Sequence, residues 1–316
     1  MATTLPNYLY LGSYDRAIFQ AEFAKRFSKN GRYDAGAIPA MFELLTFIER
    51  DTQITDMRWA AYMLATVLWE TTYPKSVEVV VKNKKGQPII NKKTGKPTVV
   101  KSRVWLMTMA PVDEVGRGKG RNYHEPVKVR TLADGSVQVT EQDGDQFSVT
   151  TGGKVKALTK KAAMGTTDGG AAVKAYVDDT GDEHAYFGRG YVQLTWWSNY
   201  ATTGAAIGRG LDLLLDPELV KQPAVAYAIM AHGMRTGDGF ANGRTFARYF
   251  SATSSNYVGA RAMVNGSDHA DSIATIAQMF EAVLVASRPV RLFPVLVPFA
   301  PELQGAPDRF GRFEGH

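Results

Sequence analysis

The feature that most constrains this chain is an eleven-residue stretch without any charge, from Trp59 to Trp69. It lies within the segment TDMRWAAYMLATVLWE, which predicts a helix with Thr55 or Asp56 as its N-cap. A helix that is apolar on every side is stable only when other elements cover it. The sequence therefore predicts a buried central helix that ends at Glu70.

Helical segments and β-like segments alternate along the rest of the chain. Amphipathic periodicity predicts helices over 14–29 and 34–50, and helical texture returns at 211–236 and 255–287. Elsewhere β-branched and polar residues alternate around glycine turns, such as Asp134-Gly135 and Asp143-Gly144, which indicates β-hairpins. We expect a mainly α-helical α+β fold with this division: one domain over 1–290, β-rich insertions at about 75–106 and 125–183, and an irregular tail over 291–316.

Composition narrows the chemistry without choosing a partner. The chain has no cysteine, which excludes disulfides, thiol nucleophiles and cysteine metal sites. Its net charge of +6 attracts polyanions such as nucleic acid, anionic membranes or bacterial cell wall, although a solvated basic surface explains it equally well. The lysines gather in 82–101 and 154–161 without interleaved aromatic residues, so we expect no nucleic-acid partner. A nucleic-acid binder that uses these basic ribbons is the alternative.

Glu70 is the first candidate for a catalytic acid. It is the first charge after the apolar run and lies at the C-terminal end of the predicted helix. Burial and the negative end of the helix dipole both raise the pKa of a carboxyl group, as a general acid requires. The alternative is a glutamate that marks where the helix meets water, paired with Lys75.

Glu114 is the second candidate. It precedes Gly-Arg-Gly-Lys-Gly-Arg (116–121), a flexible basic loop whose cations favour an ionised carboxylate, although an ordinary surface loop has the same composition. A third segment, AYFGRGYVQLTWWSNY (185–200), places aromatic rings beside short amides and hydroxyls. Such a mixture suits a sugar-binding cleft, while the same aromatics also suit a core.

Together these segments resemble glycoside hydrolase family 19, the chitinases and phage-type lysozymes. RWAAYMLATVLWET resembles the family's acid-bearing helix, and PVDEVGRGKGRNY resembles the second-glutamate segment of its bacterial and phage branch. YFGRGYVQLTWWSNY is similar to the signature Tyr-x-Gly-Arg-Gly-x-x-Gln-Leu-(Ser/Thr)-x-x-x-Asn-Tyr. DLLLDPELV and MVNGSDHAD resemble its later segments, in the right order. The resemblance implies a lysozyme-like, two-lobed helical fold with the β-hairpins as inserted ribbons.

The resemblance also implies a role for each matching residue. Glu70 is the expected general acid and Glu114 the general base of an inverting hydrolysis, with Asp113 or Glu183 as substitutes for Glu114. Thr195 is expected to help hold the attacking water. Sugar contacts are expected from the following residues: Tyr186, Arg189, Gln193, Asn199 and Asn265.

Some features depart from the family pattern or lie outside it. Trp69 stands where the family usually has histidine, and Ser198 stands at a place often held by an aromatic. A catalytically inactive glycan-binding or virion protein is therefore an alternative. The five histidines form no paired metal-ligand spacing, and inverting hydrolysis of this type needs no metal. We therefore expect no metal and no cofactor.

The expected substrate is bacterial peptidoglycan, with chitin as the alternative. The basic charge suits an anionic wall, and the second-glutamate segment resembles the phage and bacterial branch more than the plant one. The N-terminus lacks a secretory pattern, and no apolar run spans a membrane. We therefore expect a monomer without stable membrane insertion, made in a bacterial host cytoplasm and delivered to the wall by a holin, a secretion apparatus or a virion.

Overall fold

A buried helix, α3 (Met57–Glu70), forms the centre of the computed structural model, which describes residues 13–27, 32–158, 171–173 and 175–288. Asp56 is its N-cap, because its side chain accepts a hydrogen bond from the Arg58 backbone N–H at 2.8 Å. Every residue from Ala60 to Leu68 is at most 1% exposed. The predicted central helix is confirmed, with Asp56 rather than Thr55 at its start.

Helices on both sides of α3 complete the body. The predicted helices over 14–29, 34–50 and 55–70 are confirmed to within a few residues. In chain order the helices are α1 (Arg16–Phe27), α2 (Ala37–Arg50), α3, α4 (Trp197–Ala206), α5 (Asp212–Leu215), α6 (Pro223–Thr236), α7 (Phe246–Tyr249), α8 (Tyr257–Ala260) and α9 (Ala270–Ala286).

The two later helical stretches, predicted over 211–236 and 255–287, are each divided into shorter helices. A 3₁₀ helix, Pro217–Lys221, separates α5 from α6, because Asp216 caps it and Pro217 cannot continue the preceding ladder. A second one, Arg261–Met263, followed by a turn, separates α8 from α9. The interruption after Met263 creates the loop that joins Arg261 to α9.

Two β-structures occupy the predicted insertions. The first is a ribbon in which β2 (Thr72–Val80) pairs antiparallel with β3 (Val99–Met107), from Thr72 opposite Met107 to Val80 opposite Val99. The short β1 (Arg32–Tyr33) joins the end of β3 in parallel. The ribbon thus begins two residues after Glu70 and its base is attached to the helical body.

The second is a five-stranded antiparallel sheet with the order β8-β7-β6-β5-β9. Its predicted turns contain Gly135 and Gly144, both with left-handed backbone (φ +79° and +89°). A two-stranded pair, β10 (Tyr176–Val177) with β11 (Glu183–His184), follows it. The five strands are β5 (Lys128–Thr131), β6 (Val137–Thr140), β7 (Gln146–Val149), β8 (Val155–Ala157) and β9 (Ala171–Ala172).

One small strand pair positions the candidate site. Strand β4 (Val112–Asp113) pairs antiparallel with β12 (Arg189–Gly190). The second-glutamate segment therefore lies against Gly188-Arg189-Gly190, here called the glycine signature.

The mixed, mainly helical α+β class is confirmed. In the part of the chain that is described, no helix combines the length and the apolar content needed to cross a bilayer. The predicted tail over 291–316 lies outside the described residues.

Candidate active site

Glu70 is a largely buried carboxylate at the end of α3. Its side chain is 14% exposed, and Arg261 Nη1 donates a hydrogen bond to its Oε1 at 2.5 Å. Burial raises the pKa of Glu70, while the charge and hydrogen bond of Arg261 oppose that rise. Burial is the larger effect, so the pKa of Glu70 lies above its ordinary value, as its sequence position predicted.

Arg261 joins Glu70 to the loop before α9. It is 2% exposed, and its Nε donates to the Asp268 backbone carbonyl at 2.9 Å. That loop carries the exposed Asn265, one of the predicted sugar-binding residues, on the side of the molecule where Glu70 lies. Sequence reasoning missed Arg261, whose only signal is a lone cation shortly before Asn265-Gly266.

Trp69 faces a separate apolar wall next to Glu70. Its ring lies 4.8 Å from the ring of His269, centroid to centroid. These two side chains, with Trp105 of β3, line a cavity of about 780 Å³. The residue that replaces the family's usual histidine therefore contacts a histidine from the loop before α9 instead.

Glu114 is fixed through both of its carboxylate oxygens. The Gly188 backbone N–H donates to Oε2 at 3.0 Å, and the Tyr123 hydroxyl donates to Oε1. The Glu114 backbone N–H donates in return to the Gly188 carbonyl at 2.7 Å. Burial and the hydrogen bond to Glu114 raise the pKa of Tyr123, so this hydroxyl keeps its proton and acts as a donor.

The glycine signature is explained by close approach to Glu114. A Cβ on Gly188 would lie 3.0 Å from Gln193 Oε1 and 3.2 Å from Glu114 Cβ. Gly190 has φ +80°, and a Cβ there would lie 2.9 Å from the Val220 carbonyl oxygen. Both positions therefore need glycine so that the carboxylate can be seated against the strand pair.

Gln193 lies against the strand pair of β4 and β12, next to Glu114. It adopts φ +52°, and its Nε2 donates to the Val112 carbonyl at 3.3 Å and the Gly190 carbonyl at 3.2 Å. Asn199 Nδ2 donates to the Thr195 carbonyl at 2.9 Å across the start of α4. Thr195 and Asn199 are both half-buried, and their contacts to water and sugar stay predictions.

Two of the predicted sugar-binding residues are buried in the described structure. Tyr186 is fully buried, and its hydroxyl donates to the Leu214 carbonyl at 2.8 Å. Arg189 is 2% exposed, forms an ion pair with Glu218 and lies with its guanidinium 3.6 Å from the Phe187 ring centroid. Because both groups are buried with internal partners, they support the signature segment, and their contacts to sugar stay predictions.

The two substitutes for Glu114 lie in different surroundings. Asp113 is within 4 Å of three cations: Lys221 (3.1 Å), Arg117 (3.4 Å) and Arg189 (3.7 Å). Glu183 is exposed on β11. Asp113 is therefore part of an ion cluster that holds the strand pair, and Glu114 stays the candidate base.

An open cavity of about 530 Å³ borders Glu114. Its opposite wall includes Tyr73 and Pro74, from the start of β2, and it also contains Arg117 and Lys119 of the predicted basic loop. The same strand leaves α3 directly after Glu70, so the base of the ribbon lies between the two glutamates along the chain. That their carboxyl groups face one cleft at an inverting separation stays a prediction.

A possible cation-binding group lies elsewhere among the described residues. Carboxylate oxygens of Glu141, Asp143 and Asp145, in the turn between β6 and β7, lie within 4.8 Å of one another. Trp197 Nε1 donates to Glu141 Oε1 at 2.5 Å. The group includes neither glutamate of the candidate site.

Comparison with known proteins relates one part of this chain to a family. Residues 150–231 match the family model described as chitinase class I, which confirms the resemblance to glycoside hydrolase family 19. The matched residues contain the glycine signature but neither Glu70 nor Glu114.

Among individual proteins, the acidic endochitinase pcht28 of Solanum chilense is 40% identical over 68 residues, which are 22% of this chain and 26% of that protein. The chain thus spans about a quarter of the length of the relative it matches. No solved structure matches it significantly.

Proposed function

We propose that this protein is a glycoside hydrolase that cleaves β-1,4 bonds between N-acetylated amino sugars by inversion. The observation that carries the proposal is the difference between its two carboxyl groups. Glu70 is buried with a raised pKa, whereas Glu114 is held by two donors at the wall of an open cavity. Carboxyl groups in contrasting environments are the arrangement from which acid and base roles arise.

In the proposed reaction Glu70 gives its proton to the glycosidic oxygen while the bond from that oxygen to the anomeric carbon breaks. Glu114 takes a proton from the water whose oxygen attacks the anomeric carbon on the opposite face. Arg261 binds Oε1 of Glu70, so we expect the transferable proton on Oε2. Inversion requires about 6.5–9.5 Å between the two carboxyl groups, which leaves room for the water.

Bacterial peptidoglycan is the proposed substrate, supported by the basic charge of the chain and by the form of its second-glutamate segment. Chitin is the second candidate, because the matched relative is named an endochitinase. Both polymers present the β-1,4-linked N-acetylated sugars that the proposed contacts of Gln193, Asn199 and Asn265 would recognise.

The test is digestion of purified peptidoglycan and of chitin oligomers by the full chain, with products identified by mass spectrometry. We expect new reducing ends from at least one polymer, and none from the Glu70→Gln variant. Binding to either polymer without any cleavage would replace the hydrolase by the inactive glycan-binding alternative.

A further inference from the structure

The outer end of the β2–β3 ribbon, residues 82–97, is here named the ribbon tip. All of its residues are exposed. The Val81 backbone N–H donates to the Thr98 carbonyl, the Ile89 N–H to the Val81 carbonyl and the Thr98 N–H to the Ile89 carbonyl, at 2.7–2.9 Å. The tip is therefore an ordered pair of small lobes that share Ile89.

Both lobes have the same turn design. Asn83 Oδ1 accepts hydrogen bonds from the backbone N–H groups of Lys85 (2.9 Å) and Gln87 (3.0 Å). Asn91 Oδ1 accepts from those of Lys93 (2.9 Å) and Thr94 (3.3 Å). Each asparagine thus fixes a turn that presents a lysine pair to solvent, 84–85 in one lobe and 92–93 in the other.

The positive charge of the molecule is concentrated on this ribbon. Residues 72–107 contain nine lysines and arginines and one carboxylate, Glu78, whereas the whole chain has a net charge of +6. Within the described part of the chain, no ion pair involves a tip lysine. The tip cations are therefore available to an external anionic partner.

Aliphatic side chains accompany these lysines. Ile89 is 43% exposed and Ile90 51% exposed, and Val99 and Val100 behind them are 48% and 49% exposed. Phosphate binding alone gains nothing from exposed isoleucines. A surface that combines lysines with exposed aliphatic groups instead suits the interface of an anionic bilayer, where apolar groups leave water and cations meet headgroup phosphates.

We propose that the ribbon tip docks onto an anionic phospholipid surface, with Ile89 and Ile90 entering the headgroup boundary and the lysine pairs contacting lipid phosphates. The base of the ribbon carries Tyr73 and Pro74, which line the cavity of Glu114. Ile89 is hydrogen-bonded to Val81, and the chain from Pro74 to Val81, at about 3.4 Å per residue, holds that cavity about 24 Å from the lipid. This docking is independent of the proposed hydrolysis.

The experiment measures co-sedimentation of the full chain at low salt with vesicles of equal parts phosphatidylglycerol and phosphatidylcholine, and with phosphatidylcholine alone. We expect binding to the first vesicles only. Lys84→Gln/Lys85→Gln should weaken binding about twentyfold, since each lysine near an anionic surface contributes to attraction. Ile89→Ser/Ile90→Ser should weaken it about tenfold through lost apolar burial.

The matched control is Lys154→Gln/Lys156→Gln, which removes the same charge from exposed positions on the five-stranded sheet and should bind as the unaltered chain does. An equal loss in this control would overturn the proposal in favour of net charge. Unchanged binding of the isoleucine variant, with duplex DNA displacing the protein from vesicles, would overturn it in favour of a polyanion site. Absence of binding to phosphatidylglycerol vesicles would also overturn it. All six substitutions are at exposed positions, and unchanged thermal unfolding will verify the fold.

Discussion

At the scale of single residues, the two glutamates are held in opposite ways. Glu70 is surrounded by the apolar end of α3 and has one buried cation as a partner, Arg261. Glu114 is anchored to backbone and hydroxyl donors beside an open cavity. The difference follows from chain position, because one residue ends a buried helix and the other follows a two-residue strand at the surface.

The first prediction is that Glu70→Gln and Glu114→Gln each reduce turnover by about 10²–10⁴-fold, because each removes one half of an acid–base pair. The measurement is the rate of reducing-end formation on the cleaved polymer. Asp113→Asn and Glu183→Gln are the controls, and a larger loss in either of them than in Glu114→Gln would transfer the role of base. A Glu70→Gln variant with more than about a tenth of the rate would remove Glu70 from the mechanism.

The second prediction concerns the pH dependence that Arg261 imposes. A general acid is active while protonated, so activity falls as pH rises through the pKa of Glu70. Arg261 lowers that pKa against the larger effect of burial. Arg261→Met should therefore raise it further and move the alkaline limb of the pH–rate profile to higher pH, while Arg261→Lys should restore much of the original limb. A shift to lower pH would contradict the assignment of Glu70 as the acid.

The third prediction concerns Tyr123, which sequence reasoning did not single out. Tyr123→Phe removes the hydroxyl donor of Glu114 Oε1 while keeping the ring. A hydrogen bond to a charged group contributes more than a neutral one, so we expect turnover to fall about tenfold or more. KM should stay nearly constant, because Tyr123 is proposed to orient the base and not the sugar.

The control for Tyr123 is Tyr33→Phe. Tyr33 donates to the Phe27 carbonyl at 3.2 Å, at the end of α1. The Tyr33→Phe substitution removes a partly buried hydroxyl of the same kind from the helical body and should leave turnover unchanged. A loss confined to KM in Tyr123→Phe would show that this ring contacts the substrate instead.

At the scale of elements, local sequence was sufficient to predict an element when the pattern that defines it lies within one segment. The apolar run of α3 predicts its burial, and its cap and end were both placed correctly. Helix α4 was not predicted, because its sequence WSNYATTGAA has weak helical periodicity and its start depends on the left-handed Trp196 (φ +69°). The strands β4 and β12 are two residues long, and Asp113 pairs with Arg189 far along the chain, so no local pattern signals them.

The fourth prediction tests the ribbon as an element. The Val81 N–H donates to the Thr98 carbonyl, so these two residues flank a position where a two-residue turn can close the hairpin. Replacing residues 82–97 by Asn-Gly should leave the thermal unfolding midpoint nearly unchanged, because the whole excised segment is exposed. It should also abolish the vesicle binding of the tip while keeping hydrolysis of soluble oligomers.

A register control accompanies this deletion. Removing Thr98 in addition shifts β3 by one residue against β2 and turns Leu106, which is 7% exposed, away from the core. We expect this second variant to unfold at a clearly lower temperature. Equal stability of the two variants would mean that the ribbon base does not contribute to the fold.

At the scale of the whole molecule, motifs indicate the region of the candidate site but do not tell contact residues from supporting ones. Glu70, Glu114 and Gln193 lie at positions that suit their predicted roles. Tyr186 and Arg189, also expected to touch sugar, are buried and bonded to residues near the signature. A signature marks residues that contact substrate and residues that support those contacts alike, and burial separates the two classes only after folding.

Charge distribution leads to the last prediction, which concerns substrate. The cavity beside Glu114 contains Arg117 and Lys119 but also Asp113, Asp178 and Asp179, so its own charge does not favour an anionic polymer. The excess cations are on the ribbon. If peptidoglycan is the substrate, the ribbon cations should add a non-specific attraction to the anionic wall beside their docking on lipid, and the hydrolysis rate should fall with added salt as charges are screened. Cleavage of neutral chitin oligomers should show little salt dependence.

The measurement is the initial rate on peptidoglycan and on chitin oligomers across a salt series, for the full chain and for the variant with Asn-Gly in place of residues 82–97. We expect the variant to lose most of the salt dependence on peptidoglycan and to keep the full chain's rate at high salt, because the cavity of Glu114 is intact. Salt-dependent cleavage that persists in the variant would assign the attraction to other cations. Cleavage of chitin oligomers with peptidoglycan left intact would make the protein a chitinase. The proposed site is the same for both polymers, so the polymer that is cleaved identifies the substrate.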